Sequence, residues 1–373
     1  MIVEAAAVLT PEGMQEPGWV EVDGEDITSA GPGSPLRRAD YSLDATVVPG
    51  FIDAHVHGGG GYSFSDPEAN AADRIAAVHL AHGTTTMMAS LVTRPHNELV
   101  ASVRGLAGKV RDGVVVGIHL EGPWLSPDHR GAHAPEFLQE LRMPELLELL
   151  EAGAGTIRMV TLAPELDGSR EAIAAITARG AKAAVGHTGA TYAQTLAAIE
   201  AGARIGTHLF NGMRPVHHRE PGPAIALLEN SAVFAEVIAD GVHLHPAAVR
   251  TVFNSPCRTV LVTDAMAAAC APDGRYALGG VAVDVRQGQA RAVEGGSIAG
   301  STLTLDAALR YTVKTVGIPL PMAVEALTGS PAAMLGLSNV GRIEAGRRAD
   351  LVALDGDLAV KAVMRAGQWV SGP

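Results

Sequence analysis

Short apolar runs rich in Val, Ile and Thr alternate along most of the chain with Ala/Leu/Glu-rich stretches at helical spacing. The runs predict strands at 47–57, 84–90, 114–122, 157–163, 182–188, 205–211, 233–240 and 259–265. Between them the spacing predicts helices such as 68–82, 191–202 and 302–316. Strands that are apolar on both faces and separated by helices belong to parallel sheets covered on both sides. Eight such units describe an α/β fold, a (β/α)8 TIM-type barrel, with a doubly wound open sheet as the alternative.

The two ends read differently. Residues 1–46 ("WVEVDGEDITSAGPG") and 341–373 ("GRIEAGRRADLVALDGDLAVKAVMRAGQWV") show short alternating runs and turns. They predict one small β-sandwich-like domain built by both termini, with 47–340 as the catalytic barrel. The stretch 273–297 reads as a hairpin inserted after the eighth strand.

Composition narrows the class. The chain has 373 residues, 47% hydrophobic and 18% charged, which suits a globular enzyme-like protein. A net charge of −12 with no basic run argues against nucleic acid. An anionic substrate would need positive charge supplied at the site itself. Two cysteines, Cys257 and Cys270, offer neither a disulfide framework nor a thiolate metal site. The opening "MIVEAAAVLTPEG" has no basic region ahead of its apolar run, so no signal peptide, no membrane association and a cytoplasmic location are expected.

The polar residues fall at the strand ends, where a barrel of this type carries its active site. The first strand closes on "VVPGFIDAHVHGGGG", and alternation sends His55 and His57 to one face. Glu121 ends the third strand, His187 the fifth and His208 the sixth; Asp240 with His243 follows the seventh, and Asp264 the eighth. A catalytic zinc site takes three ligands of the His and Asp/Glu type and keeps one position open. Glu121, His187 and His208 supply such a set. Asp264, in "LVTDAM", is the candidate general base and acid. Many binuclear barrel hydrolases bridge their metals with a carboxylated lysine at the end of the fourth strand. The lysines here are Lys109, Lys182, Lys314 and Lys361, none at a barrel strand end, so Glu121 would have to be the shared ligand.

The motifs "PGFIDAHVHG", "GIHLEGPW", "RGAHAPE", "VGHTGAT", "THLFNGMRP", "HREPG", "ADGVHLHP", "LVTDAM" and "IAGSTLTLDAALR" occur in that order. Together they resemble the N-acetylglucosamine-6-phosphate deacetylase family of the amidohydrolase superfamily over nearly the whole chain. The resemblance implies hydrolysis of an N-acetyl amino-sugar phosphate to the free amine and acetate. It implies a divalent metal at Glu121, His187 and His208, zinc first, with iron, manganese or cobalt as alternatives. It implies Asp264 as base and acid. The sugar phosphate would be lined by Ala132, His133, Asn211, Gly212, Arg219, Asp240, Gly241, Val242, His243, Ile298, Ala299 and Gly300. Some members lack the HxH pair and work with one ion; this chain has both His55 and His57, so a second ion has its ligands. A guanidinium suits phosphate, and the loop carrying Arg219 could serve a neighbouring subunit, so a homodimer is expected.

Competing readings are a deacetylase for the galacto epimer, a cyclic amidase or a deaminase, and a non-catalytic relative of the barrel. "HREPG" and "RGAH" favour a phosphorylated substrate; retention of every ligand argues against a silent relative.

Overall fold

The computed structural model describes residues 1–66, 68 and 70–372, which fall into two compact units. The first runs over Met1–Asp53, Ala77–Thr86 and from Thr304 onward; the second runs over Ala54–Ala76 and Met87–Leu303. Both terminal stretches lie in the first unit, together with 77–86 and 304–340.

The first unit is built on one mixed sheet of eight strands drawn from both ends of the chain. Ile2–Thr10 runs parallel to Tyr41–Pro49, pairing Val3 with Tyr41 and Val8 with Val47. Tyr41–Pro49 in turn runs antiparallel to Leu351–Leu354, pairing Val47 with Ala353. The N- and C-terminal segments are therefore stitched side by side. Alternation explains the packing: in Gly18–Asp23, Trp19 and Glu21 are half-buried while Val20 and Val22 enter a core with Val3, Val8, Ile27, Leu351 and Met364.

In this unit the helix Leu305–Tyr311 anchors a buried carboxylate. Asp306 accepts hydrogen bonds from His82 Nδ1 at 3.2 Å and Arg310 at 2.9 Å. Burial alone would raise its pKa, but the bonds from His82 and Thr304 and the charges of His82 and Arg310 lower it from 3.8 to about 2. A carboxyl whose folded pKa is depressed stabilises the fold above its unfolded value and loses that contribution as pH falls through the folded one. The gain is about 2 kcal/mol, present above pH ~4 and lost by pH ~2. Asp306→Asn is therefore expected to lower the thermal midpoint at neutral pH by roughly 2–3 °C. The gap from wild type should close on acidification; a gap independent of pH would remove the electrostatic account.

The second unit holds seven parallel strands in sequential order: Ala89–Val92, Ile118–Glu121, Ile157–Leu162, Lys182–Val185, Ile205–Gly206, Phe234–Ile238 and Arg258–Val262. The stretch 54–57 takes the eighth place. Ser90 N–H donates to Val56 O at 2.8 Å on one side, and Asp264 N–H donates to His55 O at 2.9 Å on the other. The ring closes there, giving the TIM-type barrel.

The elements are shorter than their apolar runs. The run 47–57 is divided: its first residues belong to the terminal sheet, Phe51–Asp53 is a short strand, and 54–57 enters the barrel. The run 84–90 splits into Thr84–Met87 and Ala89–Val92. The helix expected over 68–82 is observed as Ala71–Leu80, with residue 69 outside the described residues. The helix Tyr192–Ala201 begins at Thr191, whose hydroxyl and Gln194 form a reciprocal capping box, and ends at Gly202. The expected hairpin at 273–297 is a three-stranded meander of Gly274–Leu278, Val281–Arg286 and Gln289–Ala292. Among the described residues no helix is long and apolar enough to cross a membrane.

Candidate metal centre

His187, His208 and Asp264 each follow a barrel strand with a positive φ, of 46°, 28° and 49°. This left-handed region is uncommon for residues with a Cβ and costs roughly 1–3 kcal/mol each where the surroundings hold it in place. Here they do. Ser126 N–H donates to His187 O at 2.9 Å, and Ser301 N–H donates to Asp264 O at 2.8 Å. The turns end the strands early and swing the three side chains toward the barrel axis.

Glu121 stands at the middle of the cluster. Its Oε1 lies 3.1 Å from His187 Nε2 and 2.9 Å from His208 Nε2. Its Oε2 lies 3.2 Å from His57 Nε2 and 3.6 Å from His55 Nε2. One carboxylate oxygen thus faces each histidine pair. Asp264 Oδ1 is 3.1 Å from His57 Nε2. The alternation along 55–57 brings the two rings onto one point, with their Nε2 atoms 3.0 Å apart.

The donor set fits a divalent metal. His57 Nδ1 donates to Ser90 O at 3.2 Å and His187 Nδ1 to His129 O at 2.9 Å. His55 Nδ1 donates to Glu236 at 3.1 Å. A ring whose Nδ1 carries the hydrogen keeps a lone pair on Nε2, the arrangement of a metal-bound histidine. The Nε2 separations, 3.0 Å for His55 and His57 and 3.1 Å for His187 and His208, approach the edge of about 3.3 Å of a tetrahedron with metal–nitrogen bonds of ~2.0–2.1 Å. His55, His57 and Glu121 form one ligand group, and Glu121, His133 and His187 another.

The field of the cluster points the same way. Burial alone would lower the pKa of His55, but the charges of Glu121, Asp264 and Glu236 raise it well above the ordinary value. Negative potential strong enough to hold a proton there equally favours a divalent cation. Burial would likewise raise Glu121, but His55 and the bonds from His133, His187 and His208 hold it well below the usual carboxylate range. Asp264 is lowered in the same manner, by His55 and His57 against its burial. Burial pushes His133 down to about 4, so it is neutral at physiological pH.

A cavity of about 240 Å³ opens over the cluster. His57, Glu121, Ala132, His133, His187, His208, Asn211, Gly212, His243, Asp264, Ile298 and Gly300 line it. Gly212 has φ of +60°, and an added Cβ would sit 2.7 Å from His187 Nδ1, so only glycine admits this turn beside the ring. His55 lies beneath the cavity floor, wholly buried. Asp240 stands behind His243, accepting from its Nδ1 at 2.7 Å. Gly241, Val242 and Ala299 flank the lining residues without joining them. Arg219 is not brought to this cavity. It is exposed, its guanidinium against His218 Nε2 at 2.7 Å, and among the described residues the lining holds no lysine or arginine.

Several residues escaped the strand-end reading. Glu236 and His119 are wholly buried, inside strands rather than at their ends. His119 was marked by its spacing, two residues before Glu121 and so on the same face. Glu236 was marked as a carboxylate inside an apolar strand, a position charged residues occupy only when paired. Val92, Thr93 and Leu278 also line the cavity, Leu278 from the meander, and no local pattern signals that contact.

The amidohydrolase family pattern matches residues 46–370. The chain belongs to the amidohydrolase family. This amidohydrolase is 37% identical over 382 residues to N-acetylgalactosamine-6-phosphate deacetylase of Escherichia coli O157:H7, covering 99% of each chain. It is 37% identical over 351 residues to N-acetylglucosamine-6-phosphate deacetylase of Danio rerio, covering 89% of this chain and 87% of that one. Among solved structures it resembles an aspartate-to-alanine mutant of N-acetyl-D-glucosamine-6-phosphate deacetylase from Mycobacterium smegmatis, in complex with N-acetyl-D-glucosamine-6-phosphate. That match has a TM-score of 0.98 and 49% identity, covering 100% of this chain and 99% of that one. Amidohydrolases of this superfamily are metal-dependent, in accord with the ligand groups here.

Proposed function

We propose that this chain hydrolyses N-acetyl-D-glucosamine 6-phosphate to D-glucosamine 6-phosphate and acetate, in the catabolism or recycling of amino sugars. The observation that carries the reading is Asp264 and the Glu121–histidine cluster sharing one cavity, in a chain nearly half identical to the mycobacterial deacetylase. The residues held by the metal reading are Glu121, His187 and His208 for one ion, and His55 and His57 with a share of Glu121 for a second. Zinc suits imidazole and carboxylate ligands best, ahead of iron, manganese or cobalt. When bound, such an ion supplies Lewis acidity, polarising a carbonyl and bringing the pKa of water toward ~7.

The protein's own groups account for the proton movements. Asp264, ionised at neutral pH, takes a proton from the water that attacks the acetamide carbonyl. It then delivers that proton to the departing amine nitrogen as the C–N bond breaks. His243, fixed through Nδ1 by Asp240, turns its other nitrogen to a polar group of the substrate. Val92, Leu278 and Ile298 give the cavity an apolar side.

The phosphate needs a guanidinium or ammonium group, and among the described residues the cavity lining holds no lysine or arginine. Arg219 of a second subunit supplies it, which makes the enzyme a homodimer. A charge-assisted bond to phosphate contributes about 1.5–3 kcal/mol. Arg219→Ala is therefore expected to lower kcat/KM for the phosphorylated sugar by roughly 10–100-fold and to leave N-acetylglucosamine almost unaffected. Equal losses on both substrates would take Arg219 out of phosphate recognition. The same reading assigns 47–340 to the catalytic barrel, 1–46 with 341–373 to its supporting β domain, and the enzyme to the cytoplasm, with no nucleic-acid or membrane partner.

The test is acetate release from N-acetyl hexosamines of the gluco and galacto series, with and without the 6-phosphate. The highest kcat/KM is expected for the gluco 6-phosphate. A preference for the galacto 6-phosphate would transfer the assignment to the activity of the Escherichia coli relative, and release from neither would overturn it.

A further inference from the structure

Glu236 takes no part in the chemistry above, yet it touches both histidine pairs. It lies within the strand Phe234–Ile238 and is wholly buried. Its Oε2 is 3.1 Å from His55 Nδ1 and 3.3 Å from the backbone nitrogen of His208. Its backbone carbonyl accepts the Leu209 N–H at 2.7 Å, while its second oxygen, Oε1, has no hydrogen-bond partner among the described residues.

We infer that Glu236 is a positioning residue for both ion sites, its one bonded oxygen fixing the tautomer of His55 and the backbone turn of His208, and its charge making His55 the stronger ligand. The inference rests on the two-ion reading of the cluster. A carboxylate oxygen can only accept, so the bond places the hydrogen of His55 on Nδ1. Were the hydrogen on Nε2 instead, it would point at His57 Nε2, 3.0 Å away, and His55 could not be a ligand there. His208, with φ of 28°, adopts a turn that a residue with a Cβ resists. The bond from its N–H to Oε2, and the next N–H to the Glu236 carbonyl, hold that turn from the neighbouring strand.

The acceptor's charge separates His55 from its companions. His57 and His187 donate Nδ1–H to backbone carbonyls, which are neutral. His55 donates to a carboxylate, and a charged outer partner makes the ring a stronger ligand. A glutamine at 236 keeps an oxygen where Oε2 stands but removes the charge. Its amide nitrogen then falls where Oε1 already lacks a partner. Alanine removes the bond as well.

The test is titration of the metal-free full-length chain with zinc or cobalt(II) against a chromogenic chelator, followed by the cobalt absorption spectrum. Wild type is expected to take up two equivalents. Glu236→Gln should weaken the second equivalent by about 10–100-fold and move the first by less than about threefold. Glu236→Ala should weaken both, because His208 loses its backbone partner. Thermal unfolding of metal-free Glu236→Gln should match wild type, so an alanine variant that fails to fold leaves the glutamine result decisive. Two equivalents bound by Glu236→Gln with wild-type constants would overturn the inference. Fewer than two equivalents on wild type would instead overturn the two-ion reading beneath it, a failure visible without any variant.

Discussion

Asp264→Asn is expected to lower kcat for deacetylation by about 100-fold or more while bound metal stays at the wild-type level. The two halves of that result separate chemistry from binding. Asparagine has the same shape, and its amide oxygen can still face His57 Nε2, from which Asp264 Oδ1 lies 3.1 Å away. What it cannot do is take a proton from water and return it to the leaving amine. The carboxyl is suited to the first task because His55 and His57 keep it ionised despite its burial. KM should change little, since the role proposed for Asp264 is on the reacting atoms rather than on the sugar. Turnover within a few fold of wild type would remove Asp264 from the mechanism. Loss of metal together with turnover would make it a ligand first and a base second.

The second large effect is expected at Glu121. Its two oxygens divide between the pairs, Oε1 toward His187 and His208 and Oε2 toward His55 and His57. Glu121→Ala should therefore release both ions, with a loss of affinity at each beyond the roughly 10–100-fold that follows removal of an outer partner. Activity should fall to background with the metal. Metal analysis after gel filtration decides the point. A variant that keeps one full equivalent would show that Glu121 serves a single ion, and the second pair must then find its carboxylate elsewhere, with Asp264 the nearest.

Much of this centre was legible before the fold was known, and the reasons are specific. Alternation alone predicted that His55 and His57 share a face, and their Nε2 atoms meet. The ends of apolar runs marked Glu121, His187, His208 and Asp264 because a barrel gathers its strand ends on one rim. The same runs overstated the strands. An apolar run does not disclose that its last residue turns left-handed, as His187, His208 and Asp264 do. Looking only at ends also passed over Glu236 and His119, which sit one layer lower in the barrel. The contribution of Leu278 depends on how the meander folds back, and no periodicity within 273–297 reports it. The guanidinium of Arg219 suits phosphate, but chemistry does not place a loop: its side chain lies outside the cavity of its own chain.

Dependence of the deacetylation on a metal carried by this cluster is the expectation on which the proposed mechanism stands or falls. It is tested most directly by measuring acetate and D-glucosamine 6-phosphate released from N-acetyl-D-glucosamine 6-phosphate by the protein before chelation, after complete metal removal, and after zinc is returned. Equimolar products are expected before chelation, none above the blank from the stripped protein, and recovery that tracks zinc bound. Stripped protein that releases acetate at the original rate would contradict it.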